Sequence, residues 1–175
     1  MTNLSIENEQ ETYSESDFWI EGDTLVKYYG NDTEVTIPSC VKIIGDYSFG
    51  GNAKLTSIKL PDGLKAIKTR AFEGCSCLKS VIIPDSVEEL GAFAFVNCTS
   101  LERVRLSAKI TEIKQQTFWC CTALKFVFLP DSVKTIGNYA YGYCKSLERV
   151  AINKGLSSVS LGTDIFYQCE NLRTE

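Results

Sequence analysis

Hydrophobic and polar positions along the chain recur with a single period. Each β-like run ends at Pro38, Pro61, Pro84, Ser107, Pro130 or Asn153, positions spaced by 23 residues. Just before these anchors stand Ile37, Leu60, Ile83, Leu106, Leu129 and Ile152. Three before them stand Val35, Ile58, Val81, Val104, Val127 and Val150, and six before them Leu55, Leu78, Leu101, Leu124 and Leu147, with Asp32 in the first unit. The alternation at the end of each run predicts a short strand with one buried face. After the anchor the period changes. Val41, Leu64, Val87, Ile110, Val133 and Leu156 are followed by Ile44, Ile67, Leu90, Ile113, Ile136 and Val159, and then by a small residue and an aromatic, as in Ala71-Phe72 and Ala94-Phe95. Within one unit Ile67, Ala71, Phe72, Cys75 and Leu78 have the spacing of one or two helical turns.

Each unit therefore reads strand, turn, short helix, turn. One such unit cannot bury its apolar face alone, whereas stacked units form a continuous core. The expected fold is an α/β solenoid of about six 23-residue repeats, with a curved parallel sheet on the concave side and short helical turns on the convex side. The last unit slips: Phe166 and Cys169 lie two residues late, which places a two-residue insertion between Gly155 and Asp164.

The runs Phe72-Glu73-Gly74-Cys75 and Val81-Ile82-Ile83-Pro84-Asp85-Ser86-Val87 resemble the BspA-like, or Treponema pallidum-type, leucine-rich repeats. The resemblance covers residues 32 to 172. The segment from Phe18 to Tyr29 is similar to that family's N-terminal lead-in. It reads as a hairpin turning near Gly22-Asp23, with Trp19, Leu25 and Tyr28 capping the first repeat. The expected organisation is an acidic, poorly ordered leader over 1–17, a capping hairpin over 18–34 and repeats over 35–175. The resemblance implies surface or secreted proteins of bacteria and some protists, several of them adhesin-like; one fold carries many roles, so function has to be argued from the site.

Charge narrows the partners. The chain holds 18 basic and 22 acidic residues, a net charge of −4. Five of the acids, Glu7, Glu9, Glu11, Glu15 and Asp17, lie in the leader, leaving a body of 18 basic against 17 acidic residues. Nucleic acid is not expected as a partner, because phosphate binding needs a basic excess. No apolar run approaches the ~20 residues that cross a bilayer, so membrane insertion is not expected. The N-terminus shows no basic and apolar signal segment. With Met1 as the natural start, the expectation is a cytoplasmic protein, whereas the resemblance points to the cell surface.

The chain has no histidine, which excludes Ser-His-Asp and Cys-His nucleophiles and imidazole metal ligands. Asp62, Asp85 and Asp131 occupy the turn after the anchor prolines, where aspartate is a good turn residue. No catalysis and no cofactor are expected. Of the eight cysteines, Cys75, Cys98, Cys121 and Cys144 share one column and Cys169 joins it after the slip. Parallel side chains in one core column suit packed, reduced thiols free of metal; Cys75-x-Cys77 and Cys120-Cys121 lack the spacing of a zinc site. Trp119, in a convex column with Gly50, Glu73, Val96 and Gly142, is expected to pack against a neighbouring turn.

The informative positions are those the repeat does not require. Residues two and four before each anchor point out onto the concave sheet, and there Ile82, Arg103, Arg105, Phe126, Phe128 and Arg149 form one patch. Exposed phenylalanines flanked by arginines have the composition of a binding hot spot. The expected function is a non-enzymatic protein-binding module that uses this face and is adhesin-like. The alternatives are an intracellular interaction scaffold, or a structural element of a longer or self-associating array through the C-terminal repeat edge.

Overall fold

The computed structural model describes residues 17–153 and 155–173. The acidic leader lies outside them except for Asp17, whose carbonyl accepts the Tyr29 N–H at 2.8 Å. The described chain opens with β1 (Phe18–Glu21) and β2 (Thr24–Tyr28), an antiparallel hairpin in which Glu21 faces Thr24. Gly22 adopts φ 62° in its two-residue turn, a conformation that favours glycine. From there each coil repeats one course. A strand precedes the anchor: β3 (Glu34–Thr36), β5 (Ser57–Lys59), β7 (Ser80–Ile82), β9 (Arg103–Arg105), β11 (Phe126–Phe128) and β13 (Arg149–Ala151). A two-residue strand follows it: β4 (Ile43–Ile44), β6 (Ala66–Ile67), β8 (Glu89–Leu90), β10 (Glu112–Ile113), β12 (Thr135–Ile136) and β14 (Ser160–Leu161).

Pairing between coils is parallel, as a 23-residue period requires, because equivalent residues of successive coils come to lie side by side. Ser80 faces Arg103, Val81 faces Val104 and Ile82 faces Arg105; Phe126 then faces both Arg103 and Arg149. The pre-anchor strands form a four-stranded ladder β7-β9-β11-β13 and a pair β3-β5; the post-anchor strands extend the hairpin into β1-β2-β4-β6-β8 and form β10-β12-β14. Proline follows four of the six pre-anchor strands, β3, β5, β7 and β11, and has no N–H to continue the ladder. Its carbonyl closes the next turn, accepting the N–H of Val41, Leu64, Val87 or Val133 at 3.0 Å. Ser107, in the proline's place, accepts the N–H of Ile110 and donates its hydroxyl to Val87 O at 2.6 Å.

The convex segments form turns, and the helices expected from the spacing of Ile67, Ala71, Phe72, Cys75 and Leu78 do not form. Among the described residues the only helical segment of three residues is the 3-10 turn Leu156–Ser158. Each coil instead carries two left-handed residues four apart: Tyr47 and Gly51, Arg70 and Gly74, Phe93 and Asn97, Gln116 and Cys120, Tyr139 and Tyr143, Asp164 and Gln168. A right-handed helix cannot accommodate such residues. The N–H groups of Phe49, Phe72, Phe95 and Phe118 reach the next coil, donating to Ala71, Ala94, Thr117 and Ala140 carbonyls at 2.8–2.9 Å. The backbone on this side is satisfied between coils rather than along the chain, so a helix-like spacing of buried side chains arises without a helix.

The core runs the length of the stack. Phe18, Tyr28, Phe49, Phe72, Phe95, Phe118, Tyr141 and Phe166 form one aromatic file, with successive ring centroids 5.0–5.8 Å apart. Burying each such ring is worth roughly 1.5–3 kcal/mol, and aromatic pairing adds about 0.5–1.5 kcal/mol per pair. Tyr141 is fully buried and its hydroxyl has no hydrogen-bond partner among the described residues.

Two end features differ from expectation. Leu25 and Tyr28 are buried at the first coil, but Trp19 is 47% exposed; Phe18 and Ile20 pack against the core in its stead. The strand alternates, so residues 18 and 20 face inward together, and 19 faces out. At the other end, Thr135 pairs with Ser160 and Ile136 with Leu161, an offset of 25 residues, whereas Phe128 pairs with Ala151 at 23. The two extra residues are thus taken up before Ser160, where the 3-10 turn lies, and Leu161 rather than Val159 is the partner of Ile136.

Candidate functional site

The concave face is built by the middle rule of each strand: the central residue points in and its two neighbours point out. Val81, Val104 and Val127 are buried; Ser80, Ile82, Arg103, Arg105, Phe126 and Phe128 are exposed. Ile82 is 64% exposed, and Phe126 and Phe128 are each 46% exposed. Arg149 is exposed at the start of β13. Stacking places these seven side chains on neighbouring strands of one ladder. Ser80, Arg103, Phe126 and Arg149 form one row, and Ile82 lies beside Arg105 in the next. Ile82, Arg103, Arg105, Phe126 and Phe128 line a common groove of about 650 Å³, together with Asp85, Ala108 and Pro130.

The arginines are not equivalent. Arg105 Nη2 donates to Asp85 Oδ2 at 2.7 Å, and the other carboxylate oxygen of Asp85 accepts the Ala108 N–H at 3.1 Å. The Arg105 hydrogen bond, and then that from Ala108, hold the Asp85 carboxyl below its ordinary range. Arg105 is therefore oriented by a partner on the preceding coil, and Asp85 does more than shape a turn. Arg103, between Ser80 and Phe126, has no ion pair among the described residues. Sequence reading missed the Asp85–Arg105 pair because its members stand 20 residues apart, and only stacking brings one coil's turn beside the next coil's strand.

The cysteine column lies on the opposite side of the core. Cys75, Cys98, Cys121 and Cys144 are fully buried. Each thiol donates to the carbonyl oxygen of the aromatic residue one coil back: Cys75 to Phe49 at 3.3 Å, Cys98 to Phe72 at 3.1 Å, and Cys121 and Cys144 to Phe95 and Phe118 at 3.2 Å. The expectation of thiols as small apolar fillers was incomplete, since each is also a donor at a fixed acceptor. Burial pushes the Cys75 thiol up to about 12 and raises Cys98 and Cys121 as well, which makes all three poor nucleophiles and poor metal ligands at neutral pH. Among the described residues no group of three or more Cys, Asp or Glu is placed to hold a metal ion.

Trp119 is a packing residue. A Cβ on Gly142, one coil on, would lie 2.4 Å from the indole ring, so the ring rests on that glycine. Tyr139 and Tyr143 meet it edge-on, with centroids at 5.6 and 4.8 Å. No helix of the described residues is long and apolar enough to cross a membrane.

A parallel stack of 23-residue coils, with leucine columns inside and a strand face outside, defines a leucine-rich-repeat solenoid. Six copies of the BspA type leucine rich repeat region match residues 24–148, and the chain belongs to that family. The match begins at β2, which pairs in parallel with β4 and so already serves as part of a coil. The leucine-rich-repeat protein of T. pallidum is similar at 25% identity and a TM-score of 0.77, over 92% of this chain and 90% of that one. A leucine-rich-repeat protein from Eubacterium ventriosum shares the fold at 22% identity and a TM-score of 0.75, over 88% of this chain and 48% of that one. A leucine-rich cell surface protein from Faecalibacterium prausnitzii matches at 25% identity and a TM-score of 0.50, over 80% and 58% respectively. Among curated proteins none matches this sequence. The family points to a protein-interaction module.

Proposed function

We propose that this solenoid is a non-enzymatic protein-binding module that engages its partner through the concave face around β7, β9 and β11, in an adhesin-like role at a cell surface. The observation that supports it is the exposure of Ile82, Phe126 and Phe128 together at positions where the repeat needs no apolar side chain. An isolated exposed apolar residue is ordinary. Three around a groove, with arginines between them, match the core-and-rim composition of interfaces. The surface role draws on the likeness to the F. prausnitzii protein described as a leucine-rich cell surface protein.

The test is binding of the purified chain to an immobilised panel of extracellular-matrix glycoproteins. The double variant Phe126→Ser/Phe128→Ser is expected to retain its fold and lose at least tenfold in affinity, about 1.4 kcal/mol or more. Full-strength binding by this variant would place the site on another surface.

A second reading has its own observation. In the last coil Val150, Ile152, Leu156, Phe166 and Leu172 are only partly covered, and Arg149, Gly155 and Arg173 help line a groove there. That surface suits the stacking of another coil or of a second copy. Light scattering across concentration tests the second copy: a mass that stays monomeric to millimolar concentration excludes it.

A further inference from the structure

We infer that the concave groove accepts an acidic peptide segment with one large apolar side chain flanked by carboxylates, and that Arg103 is the residue that selects for the charge. This rests on the concave-face reading above and specifies its ligand. The argument starts from the row Ser80–Arg103–Phe126–Arg149, set by the register of four parallel strands. Neighbouring strands lie about 4.8 Å apart, so cation, ring and cation follow one another at that spacing across the coils. A peptide running along the stack advances about 3.3 Å per residue. Side chains two residues apart share a face of such a peptide, about 6.6 Å from one another, so a carboxylate two residues from an apolar side chain can reach Arg103 while that side chain reaches Phe126.

The two groove arginines divide the work. Arg105 is already hydrogen-bonded to Asp85 at 2.7 Å, so it lends shape and partial charge. Arg103 has no ion pair among the described residues and is exposed at the groove, with the guanidinium geometry that donates bidentately to a carboxylate. Ile82 and the two phenylalanines supply walls for one apolar side chain. A bare polyanion would use the arginines and leave those walls exposed to water, whereas a purely apolar ligand would bury the Arg103 charge without a partner, which is unfavourable. Only a segment with both kinds of group satisfies the whole groove.

Fluorescence anisotropy with three labelled nine-residue peptides tests this: one phenylalanine flanked by two aspartates on each side, the same peptide with alanine at the centre, and the same peptide with lysines for aspartates. The first is expected to bind at least tenfold more tightly than either of the others, and more weakly as salt rises. Arg103→Gln is expected to weaken the first peptide about tenfold, Arg103→Lys less, and Arg105→Gln about threefold, with circular dichroism and thermal melts confirming that each variant folds. Equal affinity for the phenylalanine and alanine peptides, no binding of the first peptide, or an Arg103→Gln variant that binds unchanged would each overturn the inference. Tighter binding of heparin that survives Phe126→Ser/Phe128→Ser would overturn it in favour of a polyanion site. If the peptides fail while that double variant still loses its glycoprotein partner, the ligand chemistry is wrong and the concave-face reading stands; if the variant keeps its partner, that reading falls.

Discussion

Phe118 and Phe128 stand ten residues apart in one coil and carry the same side chain to opposite ends. Phe118 is fully buried between Phe95 and Tyr141, with centroids at 5.5 and 5.3 Å. Phe128 stands on the concave strand with nearly half of its surface in water. The first belongs to a file that every coil repeats, and the second to a position filled by Thr36, Lys59, Ile82, Arg105 and Ala151 in the other coils. A solenoid thereby separates its tasks: columns that stay constant hold the stack together, and columns that vary are available for recognition. The strand between them, with its buried valine, is common to both.

The sharpest break of this comparison is truncation on each side. Phe95→Ala is expected to cost about 3–5 kcal/mol in denaturant melts, the range for deleting a buried aromatic ring. Phe128→Ser should cost about 1 kcal/mol, because half the ring area is already in water. Comparable losses at the two sites would dissolve the division between stack and surface.

The cysteine column provides the next largest effect. Cys75, Cys98 and Cys121 keep their protons in the fold, because burial raises all three above the ordinary thiol, while in the unfolded chain they ionise near pH ~8.5. The folded state then binds more protons in alkali, so stability is full below that pH and declines as pH rises toward about 12, where Cys75 titrates. Urea midpoints at pH 7, 9 and 10.5 should fall in that order. Midpoints that stay level through pH 10.5 would show that these thiols are not held protonated by burial.

Close packing on the convex side can be tested at Gly142. Its added Cβ would meet the Trp119 ring at 2.4 Å, so Gly142→Ala is expected to destabilise the fold by about 1–3 kcal/mol, the range for overpacking. The same change at Gly22, where nothing lies within 4 Å but φ is 62°, would act through backbone strain alone, of roughly 1 kcal/mol. Equal costs at the two would mean that the indole yields.

The smallest effects come from single atoms. Cys98→Ser places a hydroxyl where Phe72 O already accepts the thiol at 3.1 Å, so a loss of about 1 kcal/mol or less is expected; a buried hydroxyl without a partner would cost about 1–3 kcal/mol. Tyr141→Phe removes a buried hydroxyl that has no partner among the described residues and should stabilise the fold by about 1 kcal/mol, read as a slightly higher melting temperature. A lower melting temperature would reveal a bond to that hydroxyl.

Read along the chain, the 23-residue period settles the stack, its parallel pairing and the identity of the core columns, because six copies report the same inward positions and no single coil has to be judged alone. The outward positions of Ile82, Arg103, Arg105, Phe126, Phe128 and Arg149 follow from the same alternation. Other features depend on atoms one coil away. The turn path on the convex side is decided by N–H groups that bond to the next coil, so buried residues at helical spacing proved ambiguous between helix and turn. Whether Arg105 or Arg103 is held by a carboxylate depends on Asp85 reaching across 20 residues of sequence. The thiol donors depend on carbonyls 26 residues back. Periodicity records which side of the chain faces inward, whereas hydrogen-bond partners are set by distance in space, which only the stacked coils establish.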